Sequence, residues 1–362
     1  MFSRLLVTRP ASRTLTSTRP LSSRLYSTSA SSEKSDTVQL VSKLRKLTNA
    51  PILAARRALT ETKNDFDAAL KWLEKDMLES GMKKAEKVKD RKASEGLVSV
   101  EVLGGGWGSR ILPTVVEDGG LRVRVATGDG KLHGVAAAQG VKAVIVELNC
   151  ESDFVSRTDE FSTLAKDIAR TVAENAVHQD PGSAFTTLDV ASLMETPLKS
   201  GTVHSSIMDL IARIGENITL SRAALLAPAF DSSSAYRAAS YVHRSTPAFP
   251  SQGRVGALAL LSLRSSNLPS LLNDSAFITD LEKLERALCR QTAGFHTRAI
   301  REKATEEDDM ETVLYQQPFA MLGGDQAGLP VREVLNEWQK KWELEEFEVA
   351  DFARWEVGEQ AK

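Results

Sequence analysis

The chain has 362 residues, of which 42% are hydrophobic and 26% are charged, and its formal net charge at pH 7 is −2. This composition is typical of a soluble globular protein with roughly two or three domains, and no apolar run approaches the ~20 residues that a membrane-spanning helix needs. The two cysteines, Cys150 and Cys289, lie far apart and form no CxxC pair. This argues against a disulfide framework or a zinc site and favours a reducing compartment.

The first 32 residues have the composition of a mitochondrial transit peptide. They contain five arginines and fourteen serines or threonines, and no acidic residue precedes Glu33. Phe2, Leu5 and Leu6 recur at a spacing that places them on one face of a short helix, whereas a secretory signal needs an uninterrupted apolar core. We therefore predict that residues 1–32 are a transit peptide and that the mature protein works in the mitochondrial matrix. A disordered basic tail is the alternative.

The charge balance narrows the class of partner. Residues 1–32 carry five arginines and no acidic residue, so their removal leaves a chain that is more acidic than the full-length protein. A net negative charge argues against a dedicated nucleic-acid-binding protein, because such proteins neutralise phosphates with lysine and arginine. We expect a protein partner and no binding of nucleic acid or membrane.

Residues 37–81 have the pattern of a compact unit of three helices. Their apolar residues recur at helical spacing in three runs, which are Val38, Val41 and Leu44 with Leu40 and Leu47 beside them, then Ile52, Ala55 and Leu59, then Phe66, Ala69, Leu70, Leu73 and Met77. The Lys63–Asn64 pair predicts a turn, Asp65 is placed to cap the third helix, and Gly81 predicts its end. About 45 residues bury only a small core, so we interpret this unit as an attached binding module.

The next segment joins this unit to a predicted core. The stretch 82–96 is charged, has almost no apolar face and is interpreted as a solvated linker, either helical or irregular. A first core subdomain is predicted over 97–227, beginning with strand Leu97–Val102 and interrupted by a Gly-rich insertion at 103–140. The GGGWG sequence at 104–108 does not complete GxGxxG and precedes no helix pattern. It therefore predicts a flexible hairpin rather than a phosphate-binding loop.

The rest of the chain repeats an order of strand, helix and strand. The predicted elements are strand Val141–Leu148, a helix carrying Phe161, Leu164, Ile168 and Val172, a helix carrying Val203, Ile207, Leu210, Ile211 and Ile214, strand Asn217–Leu226, strand Val255–Leu263, a helix carrying Leu281, Leu284 and Leu288, and strand Phe347–Val357. The Pro- and Ser-rich stretch 228–252 predicts a loop before a second subdomain, 253–362. The predicted fold class is α+β, with an N-terminal three-helix module and a core of two small antiparallel-sheet-plus-helix subdomains.

Two segments resemble signatures of the elongation factor Ts family. Leu44–Leu73 is similar to the family's amino-terminal module, a UBA-like (ubiquitin-associated) unit, although Ala54 and Ala55 stand where the family often has aspartate and cysteine. Glu147–Arg157, ELNCESDFVSR, is similar to the family's most specific motif, with Ser152 in place of the usual threonine. Weaker similarities follow in the family's order: IGENI at 214–218, YVH at 241–243, GRVGAL at 253–258, QQPFAML at 316–322 and FARWEVGE at 352–359. The segment before QQPFAML is too short for the long helical hairpin of bacterial members.

The resemblance implies a guanine-nucleotide exchange factor for mitochondrial elongation factor Tu. Such a factor binds the GDP-bound or nucleotide-free partner, promotes GDP release and allows GTP to reload during translation elongation, without covalent chemistry. The resemblance also implies that this chain uses no cofactor or metal and does not bind nucleotide directly. By resemblance, Asp153, Phe154 and Val155 form the segment that intrudes into the partner's nucleotide domain and disturbs its Mg²⁺ and phosphate sites. The alternative for Phe154 is a hydrophobic staple that packs onto the next helix.

The resemblance also implies partner contacts outside this motif. They are Arg45, Ile52 and Leu53 in the N-terminal module and Ile214, His243, Ala320 and Met321 in the core. A solvated arginine at position 45, core side chains at Ile52 and Leu53, and core filling by Met321 are the alternatives.

Two other functional classes stay open. Cys150, at the end of a predicted strand, is the candidate nucleophile of an enzyme with a distant histidine, although a small buried residue is the favoured interpretation. An adaptor that uses only the three-helix module to bind another protein is the second class. Because ELNCESDFVSR lies outside that module, an adaptor has no need of it.

Overall fold

The computed structural model describes residues 29–48, 50–106, 140–177, 183–199, 201–229, 234–302 and 309–359. The chain divides into two compact units, Met1–Leu73 and Glu74–Lys362. Residues 1–28 of the predicted transit peptide and 107–139 of the predicted insertion lie outside the described ranges. Among the helices in those ranges, none is long and apolar enough to cross a membrane.

The first unit is helical. It contains α1 (Ser29–Thr48), α2 (Ile52–Glu61) and the start of α3 (Phe66–Val88). Its core consists of small and branched apolar side chains, namely Val41, Leu44, Ala50, Ala55, Ala58, Leu59, Ala69 and Leu73. The predicted turn is present, because Lys63 and Asn64 both have positive φ, and Asp65 Oδ1 accepts a hydrogen bond from the Ala68 N–H at 3.0 Å as a helix cap does. Val38, which the sequence predicts on the same helical face as Val41 and Leu44, is exposed, and so is Leu47 beside that face.

The second unit is built from two antiparallel sheets and the helices that cover them. Its first half contains β1 (Glu95–Gly105), β2 (Val141–Cys150), α4 (Asp153–Ser156), α5 (Asp159–Asn175), β3 (Phe185–Leu188), α6 (Val190–Met194), β4 (Pro197–Leu198), β5 (Gly201–Thr202), α7 (Val203–Ile214) and β6 (Ile218–Leu226). Its second half contains β7 (Ala235–His243), β8 (Gln252–Gly253), β9 (Val255–Arg264), α8 (Leu268–Leu271), α9 (Ser275–Gly294), α10 (Val331–Lys341) and β10 (Glu346–Glu356). The strand orders are β3-β6-β2-β1-β8 and β10-β9-β7, with β4 and β5 forming a small separate hairpin.

Strand β2 is central and faces a different layer on each side. Val144, Val146 and Leu148 lie in one apolar cluster with residues of α5 and α7. Ala143 and Ile145, which point the other way, lie in a second cluster with residues of β7 and β9 from the three-stranded sheet. This two-sided burial explains why the sequence of β2 is almost continuously hydrophobic.

The three-stranded sheet has its own helical cover. Leu261 and Leu263 of β9 cluster with Phe277 of α9 and with Val334 and Trp338 of α10. The second unit therefore has four layers, in the order helices, five-stranded sheet, three-stranded sheet, helices. Together with the helical first unit, this arrangement is the α+β class that the sequence predicts.

Helix α3 is longer than the sequence predicts. It continues past Gly81 to Val88, so the expected helix end at Gly81 is wrong, and the first residues of the stretch interpreted as a linker are helical. Gly81 and Val88 are buried and Ala85 is half-buried on the same face, while Lys84 Nζ donates a hydrogen bond to the Ala212 carbonyl of α7. Gly81 therefore serves close packing between two helices rather than helix termination.

The expected loop at 228–252 is also wrong in part, because it contains strand β7. This strand pairs with β9 over its whole length, from Ala235 opposite Leu263 to His243 opposite Val255. Ala238 and Ala239 are buried within it. Alanine has low strand propensity, so the local sequence does not predict a strand here. The extended conformation is instead selected by the packing of β7 between its two neighbouring layers.

Candidate functional site

The segment after β2 makes a sharp corner that carries the predicted exchange residues. Ser152 is the N-cap of the four-residue helix α4, and its Oγ accepts a hydrogen bond from the Val155 N–H at 3.4 Å. Thr158 then caps α5, with its Oγ1 accepting from the Phe161 N–H at 3.3 Å. Two capped helices thus begin within a few residues of each other, and this fixes the direction of the chain between them.

Phe154 stands at the outer face of this corner. Its side chain is 82% exposed, whereas the next residue, Val155, is buried in the core under α5. The alternative in which Phe154 staples onto the following helix does not fit this exposure. Asp153 forms a surface ion pair with Arg157, with 3.0 Å between Oδ2 and Nη2, a type of contact that contributes at most about 1 kcal/mol.

Two reciprocal contacts hold the base of the corner to the turn between α7 and β6. Glu216 accepts hydrogen bonds from the Ser152 backbone N–H at 3.0 Å and from the Ser152 hydroxyl at 2.6 Å. In the other direction, Glu151 accepts the Asn217 backbone N–H at 2.7 Å. We call Glu151, Ser152, Glu216 and Asn217 the corner clasp.

The first half of the ELNCESDFVSR motif is buried and structural. Glu147 is 2% exposed, and its carboxylate accepts from Arg222 Nε at 2.6 Å, from Asn149 Nδ2 at 2.9 Å and from the Gly358 N–H at 2.8 Å. The Arg222 guanidinium also lies 4.5 Å from the centre of the Trp355 ring. Glu147 therefore ties β2 to β6 and to the end of β10, which makes the strand beneath the corner rigid.

Cys150 is a buried thiol at the end of β2. Desolvation on burial, assisted by the nearby Glu216 carboxylate, raises its pKa to about 12. A nucleophilic cysteine needs the opposite, a lowered pKa beside a base or a cation. Across the described part of the chain, no group of three or more histidine, cysteine or acidic side chains is placed to hold a metal ion.

A cleft of about 630 Å³ lies beside α4. Its lining includes Asp153 and Arg157 from the corner and Arg244, Phe249 and Arg254 from the segment between β7 and β9. The predicted contact residue His243 directly precedes this segment and is exposed at the end of β7. The structure thus brings the end of β7 to the same region as the corner.

The other predicted core contacts are more dispersed. Ile214, the last residue of α7, is half-buried against the core and precedes the corner clasp by two positions. Ala320 is exposed, whereas Met321 is half-buried, and the Met321 N–H donates to Gln291 Oε1 of α9 at 3.4 Å. Met321 packs against the cluster around α9 and α10, as its core-filling alternative predicts, so Ala320 and Met321 belong to a second patch.

In the first unit, the predicted contacts lie at the turn between α1 and α2. Ile52 is 50% exposed and Leu53 is 79% exposed, so neither is a core side chain. Arg45 is exposed, and its Nε donates to the Ala50 carbonyl at 3.2 Å. Arg45 thus stabilises the turn while its guanidinium remains partly in solvent.

Comparison with known proteins agrees with the sequence motifs. The family model described as "Elongation factor TS" matches residues 151–312. A protein of Coprinopsis cinerea named "Elongation factor Ts, mitochondrial" is 40% identical over 356 residues, which cover 93% of this chain and 95% of the relative. The chain belongs to the elongation factor Ts family. Relatives from Postia placenta ("Elongation factor Ts, mitochondrial 2", 36% identical, 98% of this chain and 99% of the relative) and Mycosarcoma maydis ("Elongation factor Ts, mitochondrial", 30% identical, 96% and 90%) extend the match over nearly the whole sequence.

Sequence reasoning misses part of the site in this member of the elongation factor Ts family. Glu216 and Asn217 lie in the quoted IGENI segment, yet the sequence does not show that they reach the corner. The available signal is Gly215, a left-handed helix end with φ of 84°, followed at once by two side chains rich in hydrogen-bonding groups. Their partner 64 or 66 positions earlier is a tertiary feature that no local pattern reveals.

Proposed function

We propose that the protein is a guanine-nucleotide exchange factor that binds mitochondrial elongation factor Tu in its GDP-bound or nucleotide-free state. It promotes GDP release and permits GTP reloading during translation elongation in the mitochondrial matrix. The main support for the proposal is that Phe154 is 82% exposed at the corner after β2. Ser152 caps the short helix α4 that carries it, and the strand before the corner is buried. Membership of the elongation factor Ts family supports the same function, as do the names of its mitochondrial relatives.

The corner is suited to act as a wedge. Exposed phenylalanine is costly to keep in water, and burying its ring in an apolar slot of a partner contributes about 1.5–3 kcal/mol. In this proposal the carboxylate of Asp153, which forms a surface ion pair with Arg157, perturbs the helices and water around the partner's metal ion. Val155 anchors the wedge from below because it is packed in the core.

Exchange then follows from linkage rather than from covalent chemistry. A factor that weakens GDP binding is itself released when nucleotide rebinds, because the coupling between the two ligands is reciprocal. Each difference of about 1.4 kcal/mol in binding to the two partner states changes nucleotide affinity about tenfold. The scheme requires no nucleotide site, cofactor or metal in this chain.

Further contacts spread the interaction over both units. We propose that Arg45, Ile52 and Leu53 of the helical, UBA-like region bind the partner, together with His243 and Ala320 of the second unit. Ile214 and Met321, which are half-buried, act mainly by supporting the surfaces next to them.

The test is release of fluorescent GDP from purified mitochondrial elongation factor Tu, with and without this protein. The protein should accelerate release in proportion to its concentration, and the variant Phe154→Ala should slow release about tenfold. Val177→Ala is the matched control, because Val177 is an exposed apolar residue (73%) of the same unit outside the corner. Absence of acceleration by the folded protein would favour the adaptor alternative.

A further inference from the structure

The corner that presents Phe154 is held from one side by a single carboxylate. Glu216 receives both donors of Ser152, the backbone N–H at 3.0 Å and the hydroxyl at 2.6 Å. The same Ser152 oxygen accepts the Val155 N–H inside α4. A continuous chain of hydrogen bonds therefore runs from Glu216 through Ser152 to the helix that carries Phe154.

The chemistry of these linked hydrogen bonds sets the orientation of the Ser152 hydroxyl. An ionised carboxylate accepts only, so the Ser152 hydroxyl hydrogen must point to Glu216 and its lone pairs remain available to the Val155 N–H. Hydrogen bonds to a charged acceptor are shorter and roughly twice as strong as neutral ones. Glu216 thus fixes the backbone and the side-chain rotamer of the α4 cap at the same time.

The turn that carries Glu216 is itself anchored. Gly215 ends α7 in the left-handed conformation, and Asn217, which follows Glu216, is 6% exposed. The Asn217 side-chain amide donates to the Lys89 carbonyl at 3.3 Å and to the Arg91 carbonyl at 2.8 Å, just after α3. The Arg91 guanidinium in turn lies 3.5 Å from Glu151 in the clasp. The α7–β6 turn is therefore fixed to the end of α3, and Glu216 acts from a rigid base.

We propose that Glu216 is a positioning residue for nucleotide exchange. It does not touch the partner in this scheme; it holds the cap of α4 so that Phe154 and Asp153 are presented in one orientation. The inference rests on the proposed exchange function and deepens it, because it names the residue that makes the wedge rigid. A loose corner would still allow the two proteins to meet but would transmit less of the binding free energy to the nucleotide site.

Glu216→Gln in the full chain is the first variant to measure. Glutamine keeps the size of the side chain but offers one oxygen to two donors, so one hydrogen bond of the cap is lost or reversed. We expect the maximal rate of GDP release to fall about tenfold, with little change in the concentration that gives half-maximal rate. Glu160→Gln is the matched control, since Glu160 pairs with Arg213 at 2.9 Å near the same turn without contacting Ser152.

The decisive comparison combines this variant with Phe154→Ala. If Glu216 acts through Phe154, Glu216→Gln should slow release by the tenfold factor in the wild-type background and by much less in the Phe154→Ala background. Equal effects in both backgrounds, or a folded Glu216→Gln variant with the wild-type rate, would overturn the proposal. If Glu216→Gln does not fold, Ser152→Ala tests the same series of hydrogen bonds by removing the hydroxyl and should slow release in the same way. Ser152→Thr keeps the hydroxyl and should retain the wild-type rate.

Failure of the exchange function is a separate result. In that case the wild-type protein itself does not accelerate GDP release, whatever the state of position 216. If the wild type is active and only the coupling between Glu216 and Phe154 is absent, the exchange function stands and the positioning role is rejected.

Discussion

A Cβ atom placed on Gly81 would lie 2.7 Å from the carbonyl oxygen of Met208. Helix α3 therefore approaches α7 so closely at this point that only a hydrogen atom fits between them. The contact explains why a helix interior tolerates glycine, which costs roughly 1 kcal/mol relative to alanine in an isolated helix.

The first prediction is that Gly81→Ala destabilises the protein despite its better helix propensity. The added methyl group meets backbone rather than a flexible side chain, and such overpacking typically costs about 1–3 kcal/mol. Gly294→Ala is the control, because a Cβ there meets only the end of the Met321 side chain, at 3.4 Å. Urea unfolding of both variants should show a lower midpoint for Gly81→Ala alone; a Gly81→Ala variant as stable as Gly294→Ala would contradict the close approach.

The contact between Gly81 and Met208 is a feature of the fold that the sequence does not predict. Glycine near the end of an amphipathic pattern predicts a helix stop, and the face formed by Gly81, Ala85 and Val88 is too small to be recognised as apolar. By contrast, β2 and α7 are predicted almost to the residue, because a run of buried branched side chains and a helical stripe closed by Gly215 are strong local signals. Helix α10 is absent from the predicted elements, although its sequence indicates it: the buried residues Val331, Val334, Leu335 and Trp338 follow helical spacing after Pro330.

Part of the candidate site can likewise be predicted from the sequence, and part cannot. The motif around Phe154 can be recognised in sequence, and the exposure of Ile52 and Leu53 argues against the alternative that they are core side chains. Glu216 and its contact with Ser152 cannot be found from periodicity, because the pairing depends on how two turns meet at one end of the five-stranded sheet. Tertiary hydrogen bonds of this kind need the fold.

The second prediction concerns the thiols. Burial raises the pKa of Cys150 to about 12 and also raises that of Cys289, so almost no thiolate exists at neutral pH in the folded protein. A thiol reagent at pH 8 should therefore label both cysteines slowly until denaturant unfolds the chain, when the pKa returns to about 8.5. Rapid labelling of native Cys150 that abolishes activity would instead revive the enzyme alternative.

The third prediction is a pH dependence at Asp280. Burial disfavours its charged form, but hydrogen bonds from Lys341 Nζ (2.7 Å) and from the indole N–H groups of Trp342 and Trp338 (both 2.9 Å) outweigh burial, and the pKa of Asp280 is lowered. A lowered folded pKa contributes stability above the unfolded value of about 3.9, and that stability is lost as the pH falls through the folded pKa.

Asp280→Asn should therefore be less stable than the wild type at pH 7, by about 1–3 kcal/mol, and the difference should shrink in acid below about pH 4. Urea unfolding followed by tryptophan fluorescence at several pH values measures it. Glu337→Gln is the control, because the hydrogen bond that Glu337 accepts from Gln326, at 2.8 Å, is exposed to solvent. A stability difference that is independent of pH would show that packing, not charge, explains the role of Asp280.

The fourth prediction separates binding from folding in the first unit. Leu53 is 79% exposed and Leu59 is fully buried, although both are leucines of α2. Leu53→Ala should leave the free energy of unfolding within about 0.5 kcal/mol of the wild type, since it removes little buried surface. It should weaken affinity for mitochondrial elongation factor Tu about tenfold, because the apolar contact proposed at the partner surface is lost.

Leu59→Ala should do the reverse, with a loss of about 2–5 kcal/mol in stability from the cavity it creates. In a GDP-release titration, Leu53→Ala should raise the half-maximal concentration and preserve the maximal rate, because Leu53 lies outside the corner that carries Phe154. A maximal rate that falls with unchanged affinity would mean that α2 takes part in displacing the nucleotide. An unchanged titration would remove Leu53 from the proposed interface.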